Sequence, residues 1–116
     1  MVLQEVAQPF GPEERYEEAA AALCKWIREA GSTAVFYGTW AAEDDPESQP
    51  SMNAAHRRIA AENGGLLAPV GEHWWDYKAS HPDIKMYAPD GEHASREGSD
   101  FAARYIWETI RADLEG

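Results

Sequence analysis

The chain has 116 residues, enough for one domain, and 44% of them are hydrophobic and 11% aromatic, so it can build a core. Ten basic residues against 21 acidic ones give a formal net charge of −11 at pH 7. This balance argues against a nucleic-acid or anionic-membrane surface, because neutralising phosphates requires clustered Lys and Arg. No apolar stretch approaches the roughly 20 residues of a membrane span, and no signal peptide is visible, so we expect a soluble, cytoplasmic protein. A single cysteine, Cys24, excludes an internal disulfide.

The first third of the chain predicts two strands with a helix between them. Residues 2–4 are a short apolar segment, and residues 8–12 predict a loop whose Pro12 begins a helix. Gly31 is suited to end that helix. Residues 33–38 are continuously apolar, as is typical of a strand buried on both faces of a parallel sheet. Helical spacing predicts one apolar stripe on the helix, made of Tyr16, Ala19, Ala20, Leu23, Trp26, Ile27 and Ala30.

The rest of the chain continues the alternation. An acidic, proline-bearing loop covers residues 43–50, and Ser51 is placed to cap a second helix. Residues 66–70 predict a third strand, residues 71–80 a short helix, and residues 84–87 a short extended piece. A final helix follows Ser95. This order predicts a single α/β domain over residues 1–116, with a parallel sheet of about three strands flanked by helices.

The segment most suggestive of chemistry is the Asp-x-x-His pattern formed by Asp90 and His93 in the loop before the last helix. A base histidine needs one ring nitrogen free for a nucleophile's proton and the other held by a carboxylate, and a three-residue spacing across a turn allows this. Two other interpretations remain open: an Asp-Gly turn with an incidental histidine, and a metal site formed by His93, Asp90 and Glu92. His56, on an apolar helix face, is expected to be a packed, hydrogen-bonded residue.

Read as a whole, the chain resembles the C-terminal part of the SGNH/GDSL-type hydrolases, which are serine esterases and lipases on a flavodoxin-like sheet. The most specific match is residues 87–98, Tyr-Ala-Pro-Asp-Gly-Glu-His-Ala-Ser-Arg-Glu-Gly, although Ala94 stands where the family usually has proline. Residues 36–40 and 68–71, with Trp74, are also similar to a branch of this family. So are residues 2–5.

The resemblance implies roles for five residues. His93 would be the general base and Asp90 the carboxylate that orients it. Gln4 would contact the substrate or the oxyanion from the end of the first strand, and Thr39 and Trp40 would line the pocket at the next strand end. The substrate would be a carboxylic ester, such as an acetyl ester on a sugar, and no cofactor or metal is expected.

The family's nucleophile, a serine in a Gly-Asp-Ser block, has no counterpart in this sequence. We therefore expect a truncated sheet whose first strand is an unprotected edge, covered by another copy of the chain, by a complementing N-terminal half, or by an upstream segment. On this interpretation the chain is inactive alone. The alternative is a non-catalytic α/β module for binding or assembly.

Overall fold

The computed structural model describes residues 1–4 and 13–116. Its strands are β1 (Val2–Gln4), β2 (Val35–Tyr37) and β3 (Leu66–Ala68). Its helices are α1 (Glu13–Glu29), α2 (Gln49–Glu62), α3 (Val70–Ser80) and α4 (Arg96–Glu115), with a single 3₁₀ turn at Pro46–Ser48 before α2. The predicted loop at residues 8–12 and its Pro12, as well as Glu5, lie outside the described residues.

The three strands form a parallel sheet in the order β1-β2-β3, which confirms the predicted α/β class and strand count. In this register Leu3 lies beside Phe36, and Phe36 lies beside Leu67. These three side chains share one face of the sheet, because alternate residues of a strand point to opposite faces. Because the three strands are parallel, their carboxyl ends meet at one edge of the sheet, where parallel α/β folds place their ligands.

Each face of the sheet carries its own hydrophobic core. On the Phe36 face, α1 and α2 bury a cluster made of Tyr16, Ala20, Cys24, Ile27, Ala34, Phe36, Ile59 and Ala60. On the other face, α3, α4 and the segment between them bury a second cluster made of Trp40, Val70, Trp74, Met86, Tyr87, Phe101 and Ala102. Helices on both faces explain why the strands are apolar without alternation.

The apolar stripe predicted on α1 is partly wrong. Tyr16 and Ile27 are buried as predicted, and Cys24 lies beside them on the same face. Leu23 and Trp26, however, are 38% and 64% exposed. The face of α1 that is buried is narrower than the apolar stripe that the sequence predicts for this helix. An apolar strip of α1 therefore remains uncovered in the described part of the chain.

Two local predictions also need correction. Ser51 does not cap α2, since the helix begins at Gln49 and the preceding Ser48 donates its hydroxyl to Asp45. The acidic segment predicted as a loop contains the 3₁₀ turn and the start of α2. Residues 84–87, predicted as a short extended piece, contribute one antiparallel bridge, between Tyr87 and Ala94. Among the described residues, none of the helices is long and apolar enough to cross a membrane.

Candidate active site

The loop that carries His93 joins α3 to α4 and is pinned at its base. The bridge between Tyr87 and Ala94 closes it, with the Ala88 amide donating to the His93 carbonyl at 2.8 Å. Ser95 then caps α4, because its hydroxyl accepts the Gly98 amide at 3.1 Å. The same hydroxyl donates to the Lys85 carbonyl, so both ends of the loop are held.

Asp90 and His93 form the predicted pair. His93 Nδ1 lies 2.5 Å from Asp90 Oδ2, a short hydrogen bond in which the ring N–H donates to the carboxylate. The other carboxylate oxygen, Oδ1, accepts the backbone amides of Glu92 at 2.9 Å and His93 at 3.0 Å. Gly91, with φ of 70°, supplies the left-handed turn that folds the chain back on the carboxylate. The three-residue spacing therefore fixes the pair locally.

These contacts change the pKa of both groups. The hydrogen bond from His93, followed by the backbone amides of Glu92 and His93, lowers the pKa of Asp90 to about 2. The same side-chain bond, with the negative charge of Asp90, raises the pKa of His93 above its ordinary value. The Asp90 carboxylate is thus ionised at neutral pH and stabilises the imidazolium.

Within the described part of the chain, the remaining ring nitrogen of His93, Nε2, is available for proton transfer. The His93 side chain is 81% exposed and that of Asp90 is 46% exposed. With Nδ1 bonded to Asp90, the neutral imidazole presents an unprotonated Nε2 to solvent. This is the arrangement that a general base requires: one nitrogen held by a carboxylate and the other free.

The segment that follows β2 holds the tip of this loop. The Trp40 indole N–H donates to the Glu92 carbonyl at 2.9 Å, and the Glu43 amide donates to the Gly91 carbonyl at 2.8 Å. The Tyr87 hydroxyl, in turn, donates to the Ala41 carbonyl at 2.6 Å. The pair is therefore located at the carboxyl edge of the sheet, where parallel α/β folds place their ligands.

Gln49 anchors the same segment from beneath and was not predicted. Its buried amide accepts the Ala41 amide at 2.7 Å and the Trp75 indole N–H at 2.9 Å, and donates to the Thr39 carbonyl at 3.1 Å. In the sequence, Gln49 lies at the end of an acidic, proline-bearing stretch that indicates a solvated loop. Nothing local marks it as buried, since three of its four hydrogen-bond partners among the described residues lie in the segment after β2 and in α3.

The structure places the other predicted site residues at the same edge but not in contact with the pair. Gln4 is exposed at the end of β1, and the Thr39 side chain is fully buried. Within the described ranges, no hydrogen bond joins Gln4 or Thr39 to Asp90 or His93. Of these three predicted site residues, Trp40 is the one with a hydrogen bond to the loop in the described part of the chain, through the Glu92 carbonyl. The substrate-contact roles of Gln4, Thr39 and Trp40 remain predictions.

Two histidine interpretations from the sequence can be compared with the geometry. His56 is 1% exposed and its Nδ1 lies 2.8 Å from the Met52 carbonyl, which confirms the packed, hydrogen-bonded residue. Asp90, Glu92 and His93 each present a ligand atom within 4.8 Å of the others, and all three are exposed. The hydrogen bond to Asp90 occupies the Nδ1 of His93, so a cation would compete with that bond.

Comparisons with known proteins agree with this picture. A protein from Slackia heliotrinireducens, described as "a putative SGNH hydrolase", has the same fold, with a TM-score of 0.80 and 31% sequence identity. The match covers 94% of this chain but only 64% of the relative, so the chain spans less than two thirds of that protein's length. No protein-family model matches the sequence, and the search of curated proteins found no match.

The resemblance to the SGNH-type hydrolases is thereby confirmed. Nearly the whole chain superposes on such a fold, at an identity that extends the likeness from backbone to sequence. The share of the relative left uncovered is consistent with the prediction that this chain corresponds to the C-terminal portion of the fold.

Proposed function

We propose that the chain is the acid–base half of an ester hydrolase of the SGNH type. The observation that carries the proposal is the Asp90–His93 pair, with its 2.5 Å bond and its exposed Nε2 at the carboxyl edge of the sheet. His93 would accept the proton of an attacking serine and then donate it to the leaving alcohol, while Asp90 holds the ring and stabilises its charge. The substrate would be a carboxylic ester, such as an acetylated sugar.

The nucleophile would have to come from outside this chain. Ser95 uses its hydroxyl to cap α4 and to bond the Lys85 carbonyl, and Ser48 donates its hydroxyl to Asp45. Ser32 precedes β2, at the opposite edge of the sheet from His93. No serine of the sequence lies in a Gly-Asp-Ser block. Without its nucleophile, a hydrolytic site of this type retains little activity.

The edge of β1 is the surface that would receive the missing part. Among the residues that the structure describes, β1 pairs with a strand, β2, on one side only, and Val2 is 43% exposed. Leu3 and Leu23 line one groove beside this edge, and Trp26 continues the apolar strip along α1. We take the occupant to be a polypeptide that adds a parallel strand and carries the serine, because the relative has a further third of its chain beyond the match.

A serine-directed probe tests this proposal. We expect a fluorophosphonate to label no serine of the isolated chain, and to label one serine after the unmatched portion of the relative is fused ahead of Met1. In that fusion, His93→Ala should abolish hydrolysis of p-nitrophenyl acetate, whereas His81→Ala, at an exposed histidine at the C-cap of α3, should not. Stoichiometric labelling of a serine in the isolated chain would overturn the proposal, as would a fully active His93→Ala fusion.

A second candidate is a non-catalytic assembly module, and the exposed apolar strip favours it. Such a module would use the β1 edge for association, and Asp90 and His93 would have no catalytic role in it. The two candidates differ in one measurement. A fusion that folds and remains unlabelled by the fluorophosphonate, while the edge still governs association, would support the assembly module.

A further inference from the structure

We propose that Trp40 is a positioning residue, which holds the Asp90–His93 loop in its reactive geometry through the hydrogen bond from its indole N–H to the Glu92 carbonyl. The inference rests on the proposed function, since it concerns the orientation of the proposed base. It gives the indole N–H a role different from the substrate contact that the sequence suggested for Trp40.

The first step of the argument is that the pair itself is poorly protected. Asp90, Glu92 and His93 are all exposed, so water competes for every hydrogen bond within the turn. An exposed ion pair is worth little unless its geometry is held by the surrounding structure. The 2.5 Å separation between His93 and Asp90 therefore requires support from the backbone that carries both side chains.

The second step is that this support comes from the end of β2. The base of the loop is closed by the Tyr87–Ala94 bridge, but the hydrogen bond beside it, from the Ala88 amide to the His93 carbonyl, leaves out the carbonyls of Gly91 and Glu92 at the tip. In the described part of the chain, two donors reach this tip: the Glu43 amide and the Trp40 indole. Trp40 is the only one of the two that acts through a side chain.

The third step is that the indole is itself immobile. Trp40 is 6% exposed and stacks on Trp74, with ring centroids 4.1 Å apart and an interplanar angle of 8°. Tyr37 packs against it edge-on at 6.0 Å. Trp74 of α3 is fully buried and packs against Phe101 of α4, so the stacked indole of Trp40 is held in a fixed orientation toward the Glu92 carbonyl. A rigid donor bonded to an exposed loop restricts the loop rather than following it.

Charged groups around the tip add to the need for a fixed geometry. Glu43 and Asp44, which follow β2, line the same cleft as Asp90 and Glu92. The Lys78 ammonium of α3 reaches Glu43 at 3.7 Å. Repulsion among these carboxylates favours opening of the cleft, and the neutral bond from Trp40 opposes it without adding charge.

Trp40→Phe tests the inference in the protein as it stands, because phenylalanine removes the donor and keeps an aromatic ring against Trp74, while the matched control below accounts for the smaller ring. We expect the amides of Gly91, Glu92 and His93 to exchange with solvent at least several-fold faster. We also expect the pKa of His93, followed by NMR, to fall by at least half of the fall seen in Asp90→Asn. Trp75→Phe is the matched control: it removes an indole donor bonded to Gln49, and should leave both readouts at wild-type values.

Wild-type exchange rates and an unchanged His93 pKa in a folded Trp40→Phe variant would overturn the inference. If that variant does not fold, two measurements on the wild-type protein test the inference instead. The Trp40 indole N–H should be protected from exchange, and its resonance should shift with the titration of His93; an unprotected, insensitive resonance overturns the inference. Neither readout uses ester hydrolysis, so the inference and the proposed function can fail separately.

Discussion

At the scale of single residues, the hydrogen bond between His93 and Asp90 links stability to pH. The pKa of His93 is raised, so its contribution to stability is fully present below its ordinary value of 6.5 and is lost as the pH rises through the raised pKa. The pKa of Asp90 is lowered, so its contribution is present above 3.8 and is lost as the pH falls toward about 2. Both contributions to stability are therefore present together between about pH 4 and pH 6.5.

We therefore expect the difference in free energy of unfolding between the wild type and Asp90→Asn to be largest near pH 5. It should shrink on both sides, toward about pH 2 and toward about pH 9. Urea titrations at these three pH values measure it. Asp83→Asn, at an exposed carboxylate that precedes the Tyr87–Ala94 bridge, serves as the control. A difference for Asp90→Asn that stays constant with pH would contradict the assignment.

The pair was predictable from the sequence, whereas its support was not. Asp90 and His93 are three residues apart, so turn geometry and side-chain chemistry alone bring them together. Trp40 and Glu92 are 52 residues apart, and their contact exists only because β2 and the α3–α4 segment meet at one edge of the sheet. Local patterns carry no information about that contact, which depends on tertiary packing.

At the scale of elements, the start of α4 lies so close to its neighbours that only glycine fits. A Cβ on Gly98 would lie 2.2 Å from the Met86 carbonyl oxygen and 2.8 Å from Cη2 of Trp74. Both atoms belong to the buried cluster beneath the His93 loop, and the carbonyl is backbone that cannot rotate away. The glycine therefore sets how closely α4 approaches the loop it follows.

We expect Gly98→Ala to destabilise the protein by about 3 kcal/mol, the upper end of the usual cost of overpacking. Denaturant unfolding measures this loss. Ser99→Ala, at the exposed next position of the same helical turn, should change stability by less than about 0.5 kcal/mol. Equal stabilities for the two alanine variants would show that α4 can shift to make room.

Element types and order were predictable because periodicity and caps are local. The Gly31 turn illustrates this: its φ of 76° and the Ser32-to-Ile27 backbone bond end α1 where the sequence indicated. The buried face of α1 was harder to predict. Leu23 and Trp26 are as hydrophobic as the residues that the sheet covers. Hydrophobicity alone therefore cannot distinguish a helix face buried in the core from an apolar face that stays exposed in the isolated chain.

At the scale of the whole molecule, two features oppose each other. The β1 edge and the apolar strip of α1, which contains Leu23 and Trp26, both favour association, since burying them removes apolar surface from water. The net charge of −11 opposes contact between two copies, because like charges repel over distances comparable to the Debye length. Added salt weakens the second effect and leaves the first. The ionic strength should therefore decide how often the edge is occupied by a second copy when no complementing polypeptide is present.

We expect light scattering after size exclusion to give a mass above the 12.9 kDa of one chain at micromolar concentration, rising further with added salt. Val2→Lys and Trp26→Lys should each shift the chain toward monomer, because a charge on the edge or on the strip makes its burial costly. Trp107→Lys replaces a side chain that is also exposed but lies on α4, and should leave the mass unchanged. A stable monomer at all salt concentrations would contradict self-association. Loss of association in Trp107→Lys, with none in Val2→Lys, would locate the contact on α4 instead.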